Sequence, residues 1–178
     1  HDVTTASGVF SADRLDLGTR VLLRQIPDPP QEGTFLDLGC GWGPITLALA
    51  DAAPAATVLA TDVNERAVEL TGRNAADAGH NHVRAVVAEQ LLAELRQAGT
   101  RIDLIWSNPP MRIGKQALHG LLTDWLALLA DDGEAWLVVQ RNLGADSLAT
   151  WLTKQGWAVS REASSKGYRL LRVTRPQS

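Results

Sequence analysis

Five short apolar runs alternate with four helical patterns along this chain, and that alternation restricts the fold more than any other feature. The runs are TFLDL (34–38), TVLAT (57–61), VRAVV (83–87), IDLIW (102–106) and EAWLVV (134–139). Each is too short for a helix and reads as a strand. Between them, GPITLALADA, NERAVELTGRNAADA, EQLLAELRQA and KQALHGLLTDWLALLA read as helices. Asp62 or Asn64 is placed to cap the second of these, and Gly79 and Gly99 stand where helices should stop. Strand–helix–strand units of this length connect right-handedly and give a parallel sheet with helices on both faces. A further helix is expected at residues 11–26, ahead of a PDPPQEG linker. Another is expected at 145–155, followed by an antiparallel strand pair, WAVSREA and GYRLLRV, joined through a Ser-Lys-Gly turn. The fold class is therefore α/β: a mostly parallel seven-stranded sheet ending in an antiparallel strand.

With 178 residues the chain predicts one domain, 1–178, rather than two. It opens on His1 rather than Met, which leaves room for sequence upstream. No apolar run approaches the ~20 residues that cross a bilayer, and the first residues lack the pattern of a signal peptide. A single cysteine, Cys40, excludes an internal disulfide and fits a reducing, cytoplasmic setting. The histidines, including His80 and His82 in a polar loop, show no zinc spacing, so no metal is expected. Charge is uneven: residues 1–100 carry 7 Lys+Arg against 13 Asp+Glu, residues 101–178 carry 10 against 7. The basic second half permits contact with nucleic acid on one side without requiring it.

Ligands of open α/β sheets bind at the carboxyl ends of the parallel strands, and four short pieces fall there. LDLGCGWGP places Gly39, Gly41 and Gly43 after the first strand, with Pro44 opening a helix. Such a turn allows close backbone approach and offers free N–H groups to an anionic or carboxylate-bearing ligand. The spacing is G-x-G-x-G, not the G-x-G-x-x-G of dinucleotide binders. Asp37 beside it suits a ligand with an ammonium or amino-acid portion. Asp62 ends the second strand about twenty residues past the glycines, where an acid can accept both hydroxyls of a ribose. Glu89 or Gln90 follows the third strand and could meet an adenine edge or cap the next helix. After the fourth strand comes Asn108-Pro109-Pro110. The Asn108 amide oxygen and a carbonyl stiffened by proline can together accept from a planar –NH2 group as it attacks an electrophile.

These residues carry a resemblance. LDLGCGWGP, then Asp62, then SNPPM, in that order, resemble the class I S-adenosylmethionine-dependent methyltransferases, whose fold is Rossmann-like, and Asn-Pro-Pro resembles those that methylate exocyclic or amide nitrogens. The segment GVFSADRLDLGTRVLL (8–23) is similar to the small-domain methyltransferases that act on guanine N2 of ribosomal RNA, the RsmC/RlmG type. The resemblance implies S-adenosyl-L-methionine as cofactor and ribosomal RNA or a ribosomal subunit as partner. It implies Asp37, Gly39, Gly41 and Gly43 around the methionine moiety, Asp62 at the ribose and Gln90 near the adenine. Asn108, Pro109 and Pro110 would form the catalytic clamp. Phe10 and the loop at Asp16–Thr19, within an N-terminal segment 1–30, would lie over the site, and Met111, Arg112 and Lys115 would face the substrate, with Arg141 at the mouth.

One departure stands out. Relatives commonly carry an aromatic after Asn-Pro-Pro, and here the residue is Met111, which lies on a ring more weakly. Phe10 or Trp106 is expected to supply the missing face. The competing expectations are a protein glutamine-N5 methyltransferase, a small-molecule N-methyltransferase and a non-catalytic cofactor-fold domain. Cys40 is expected to be a small buried filler. Trp42 is expected either to cover the cofactor or simply to pack.

Overall fold

A computed structural model describes residues 15–177. In chain order the elements are α1 (Leu17–Gln25), β1 (Thr34–Leu38), α2 (Pro44–Ala52), β2 (Thr57–Asp62), α3 (Glu65–Asp77), β3 (Val83–Val87), α4 (Ala88–Ala98), β4 (Ile102–Ser107), α5 (Lys115–Leu126), β5 (Leu129–Gln140), α6 (Ala145–Lys154), β6 (Ala158–Ser165) and β7 (Tyr168–Thr174). Short 3-10 turns at Met111–Ile113 and Arg141–Leu143 follow β4 and β5. The seven strands form one sheet in the order β3-β2-β1-β4-β5-β7-β6. The first five run parallel, and β7 lies antiparallel between β5 and β6. The chain order reverses between β1 and β4, so their carboxyl ends form the crevice where ligands of such sheets bind.

Alternate residues of each strand feed two cores. On one face, Leu36, Leu59, Ile105, Leu137 and Leu171 meet Leu91 of α4, Leu118 and Leu122 of α5 and Leu152 of α6. On the other, Phe35, Val58, Leu104, Trp106 and Val138 meet Val21 and Leu22 of α1 and Ile45 and Leu49 of α2. Helix α1 is thus part of the core, and it begins at Leu17 with Asp16 as its N-cap.

Three expectations about element bounds need correction: the helix expected from residue 11 begins at Leu17, so Leu17–Thr19 are its first turn rather than a loop, and two more concern β5 and the helix before it. The helix read to residue 130 stops at Leu126, and β5 begins at Leu129, five residues before the apolar run EAWLVV. The β4–β5 register slips between Ile102/Leu129 and Leu104/Glu134, a bulge that takes up the polar DDG. A Cβ on Gly133 would come 2.8 Å from the Ile102 carbonyl oxygen, so this bulge accepts only glycine without rearranging. Periodicity cannot separate a short apolar helix end from a strand start, and here the strand took the leucines.

Candidate active site

In the register, Leu38 pairs with Thr61 on one side and with Ser107 on the other. The next residues, Gly39, Asp62 and Asn108, therefore leave their strands abreast, about one strand spacing (~4.8 Å) apart. Side-chain hydroxyls lock these ends: Ser107 Oγ donates to the Leu38 carbonyl at 2.7 Å and Thr61 Oγ1 to the Val86 carbonyl at 2.7 Å. The Gly39 and Cys40 amides both donate to the Thr61 carbonyl at 2.9 Å. A Cβ built on Gly39 would find the Asn108 carbonyl oxygen, 3.8 Å away, as its nearest atom, so the glycine turn and the Asn-Pro-Pro segment share one wall.

The turn is held from behind by α3. Buried Thr71 donates to the Gly41 carbonyl at 2.9 Å, and buried Asn74 donates to the Trp42 carbonyl at 2.8 Å. Two glycines serve opposite ends. Gly43 has φ +107°, and a Cβ there would press on Thr71 Cγ2 at 3.1 Å, so it is required for packing. Gly41 has φ +54°, and nothing lies within 4 Å of a Cβ there, so its open side faces away from the protein. The Gly41 amide donates to Asp62 Oδ2 at 3.1 Å, and the Asn64 amide donates to Asp62 Oδ1 at 3.0 Å. Asn64, not Asp62, caps α3, which leaves the Asp62 carboxylate at the crevice.

Asp37 is fully buried beneath the turn. Its Oδ2 accepts from the Thr46 amide at 3.1 Å and from Thr46 Oγ1 at 2.7 Å, while its Oδ1 has no protein partner among the described residues. The N-cap of α2 is Gly43, which has no side chain, so Asp37 caps that helix from below. Burial pushes its carboxyl from the ordinary 3.8 up to about 7; the two Thr46 hydrogen bonds pull the other way without overcoming it, and the charge on Asp62 adds to the rise. Burial, reinforced by Asp37, likewise pushes the Cys40 thiol up to about 12. A thiol so hard to ionise is a filler rather than a nucleophile, as its sequence context suggested.

A cavity of about 270 Å³ opens at these strand ends, lined by Gly39, Asp62, Val63, Asn108, Pro110 and Ile113 among others. Val63 and Ile113 are 77% and 49% exposed, two of the three exposed large hydrophobic side chains among the described residues. The third, Leu17, is the neighbour of Asp16, whose carboxylate touches Asn108. A mostly apolar lining that carries a few polar side chains, here Asp62 and Asn108, marks a ligand crevice. A larger, open cleft of about 600 Å³ lies at the amino ends of the strands, beside Asp51, His80 and His82. It is a surface depression far from the strand ends that carry the motifs, and the smaller cavity is the candidate site.

Of the expected residues, Gly39, Asp62, Asn108 and Pro110 line the cavity. Asn108 is half-buried on the cavity wall; Pro109 behind it is buried and Pro110 forms the exposed rim. Arg112 and Lys115 are exposed just beyond, and Arg141 is exposed at the end of β5. Met111 is half-buried and packs into the core under α5, so its side chain is engaged in packing. Gln90 is not brought to the cavity. Helix α4 starts at Ala88, directly after β3, and turns Gln90 outward, where it donates to Glu94 at 3.1 Å. Ala88 lines the wall instead. Trp106 is 3% exposed in the sheet, which rules it out as the aromatic face. Trp42 is half-buried beside the cavity without lining it. Phe10 lies outside the described residues.

Tyr168 joins the site without a local sequence signal. Because β7 runs antiparallel, its first residue pairs with Gln140, the last of β5, and so arrives at the same edge as Asn108. A Cβ on Gly18 would lie 2.8 Å from Tyr168 Cε1 and 3.0 Å from Asn108 Nδ2, so α1, Tyr168 and Asn108 meet at one point. Burial, with the charge of Asp16, raises the Tyr168 hydroxyl above its ordinary range, and Arg112 opposes this. The clue available in the sequence was the reversed direction of the last strand.

Among the described residues no cluster of metal-ligating side chains occurs, and no helix is long and apolar enough to cross a membrane. Residues 1–172 match the methyltransferase small domain family. The chain is 37% identical over 170 residues to the Bacillus subtilis protein YbxB, covering 96% of this chain and 84% of that protein. It is 38% identical over 154 residues to ribosomal RNA large subunit methyltransferase G of Streptomyces coelicolor, covering 80% of this chain but only 38% of that enzyme. The 16S rRNA N2 G1207 methyltransferase RsmC of T. thermophilus, solved with AdoMet and guanosine, shares the fold with a TM-score of 0.75 and 23% identity, over 99% of this chain and 50% of that one. A match over nearly the whole length, on a sheet whose strand ends bring Gly39, Asp62 and Asn108 abreast, establishes that this chain belongs to the methyltransferase small domain family.

Proposed function

We propose that this chain transfers a methyl group from S-adenosyl-L-methionine to an exocyclic amino nitrogen, with guanine N2 of ribosomal RNA as the substrate. The observation that carries the reading is the side-by-side emergence of Gly39, Asp62 and Asn108 on one cavity wall. The residues fit the cofactor. The open space beside Gly41 lets a ligand reach the backbone of the turn, which would serve as a cradle for the amino-acid portion. The Asp62 carboxylate, one backbone amide on each oxygen, retains lone pairs for two ribose hydroxyls. Val63 and Ile113 offer apolar surface for the adenine ring. Asp37 supports the cradle from beneath through Thr46.

When bound, S-adenosyl-L-methionine would supply an electrophilic methyl to the nitrogen lone pair with a neutral thioether as leaving group, and the surplus amino proton would pass to solvent water. The chain's part is positioning and a polar clamp. Asn108 Oδ1, with the carbonyl beside the buried Pro109, accepts from the flat amino group and holds its lone pair toward the cradle. Arg112, Lys115 and Arg141 give the rim positive charge for phosphates. The Streptomyces relative is named for ribosomal RNA, and the RsmC structure contains guanosine. Both support the substrate named here, although the chain spans about two fifths of that relative's length. The test is Asn108→Ala, with cofactor binding by calorimetry measured apart from methyl transfer to ribosomal RNA. Retained binding with at least a hundredfold slower transfer is expected; undiminished transfer would refute the role.

A further inference from the structure

We infer that Asp16 is a positioning residue whose carboxylate fixes and polarises the Asn108 amide, so that only its oxygen faces the substrate. This rests on the role proposed for Asn108. An asparagine amide has two ends of nearly equal shape, and only Oδ1 can accept from an amino group. A freely turning Asn108 would present its own NH2 to the substrate's NH2 for part of the time, and two donors repel. The contacts assign the two ends. Asn108 Nδ2 donates to Asp16 Oδ2 and, at 3.3 Å, to Thr19 Oγ1. A carboxylate oxygen is an acceptor, and the amide atom assigned to face it is the nitrogen. That leaves Oδ1 for a ligand in the cavity.

The contact is built rather than incidental. Asp16 heads α1, which is anchored by Val21 and Leu22, 3% and 0% exposed, so a rigid helix sets the position of the carboxylate. Gly18 lets the first turn come close enough, since a Cβ there would crowd the amide nitrogen at 3.0 Å. The two carboxylate oxygens divide the work. Oδ1 takes the Gly18 amide at a long 3.4 Å, as a weak helix cap, while Oδ2 takes the Asn108 amide. Capping alone needs no charge, because Asn, Ser and Thr cap as well. The charge has a use at Asn108: a charge-assisted bond at the amide N–H shifts electron density toward Oδ1. That oxygen then accepts more strongly as the amino proton turns acidic during attack, which is when a clamp raises the rate.

The test uses the full chain with Asp16→Asn, which keeps a capping side chain and an acceptor but removes the charge. Methyl transfer to in-vitro-transcribed ribosomal RNA is followed for the wild type, Asp16→Asn, Asn108→Ala and the double variant. A tenfold to hundredfold fall in kcat is expected for Asp16→Asn, with KM and cofactor Kd within about twofold. In the Asn108→Ala background the same change should cost nothing further, because its target is gone. A second readout needs no turnover. The Asn108 side-chain NH2 signals, identified by their loss in Asn108→Ala, should be shifted downfield in the wild type and move back in Asp16→Asn. Full kcat in Asp16→Asn, additive losses in the double variant, or unmoved amide signals each overturn the inference while leaving the role of Asn108 intact. Full activity in Asn108→Ala overturns both.

Discussion

Asp37 offers a quantitative test of how the floor of the site is built. In the fold its carboxyl keeps its proton up to about pH 7, whereas in the unfolded chain it ionises near 3.8. Between those values the folded state binds the extra proton, so stability falls as pH rises. The contribution is complete below about pH 4 and lost by about pH 7. Each pH unit is worth about 1.4 kcal/mol, which puts the ceiling near 4 kcal/mol. Local relaxation around the ionised carboxylate would lower this ceiling, and about 2–4 kcal/mol is expected. Asp37→Asn removes the titration and keeps an oxygen for the Thr46 amide and hydroxyl. It also buries an NH2 where Oδ1 had no partner, a pH-independent cost of about 1–3 kcal/mol, so the slope rather than the absolute stability is the readout. Urea unfolding of both proteins between pH 4.5 and 8 gives the difference, provided m is unchanged. The wild type should lose stability relative to the variant as pH rises. A flat difference would mean that Asp37 ionises in the fold as it does in water. A rising one would mean that its ionised form is held by a partner, and either result refutes the picture of a proton-bearing carboxyl beneath the turn.

Gly41→Ala should separate binding from folding: the αL backbone at φ +54° costs about 1 kcal/mol, yet the new methyl meets no protein atom, so cofactor affinity should fall at least tenfold while thermal unfolding changes by only a few degrees. Gly43→Ala should do the reverse, with crowding against Thr71 lowering stability by about 1–3 kcal/mol in chemical denaturation. Charge reversal of Arg112 and Lys115 together should weaken RNA binding and flatten its dependence on salt by about two phosphate contacts in a filter-binding titration, with cofactor affinity unchanged.

The parallel part of the sheet and the glycine turn could be read from the chain because their signals are local. Short apolar runs, G-x-G-x-G and Asn-Pro-Pro need no knowledge of what lies across the fold. The bulge at Gly133 was hidden because its cause, the Ile102 carbonyl, is thirty-one residues away in sequence. Gln90 lies off the cavity wall because α4 begins without a loop, and its N-cap Val87 forms no side-chain bond, so no capping residue announces that start in the sequence. The Thr71 and Asn74 supports sit on a helix face indistinguishable by pattern from ordinary core. Asp16 was legible as a residue near the site, but not as the partner of Asn108, since that pairing spans 92 positions.

The placement of β7 bears on how the protein is made. The last of the described strands to leave the ribosome is an interior one, seated between β5 and β6. Until residues 168–174 emerge, β5 carries an open edge of backbone donors and acceptors, and β6 has no neighbour to pair with. Tyr168, meanwhile, cannot reach the amide it borders. Completion of the sheet and closure of this corner of the crevice are therefore one late event in synthesis. A nascent chain halted before β7 should be both inactive and prone to edge-to-edge aggregation.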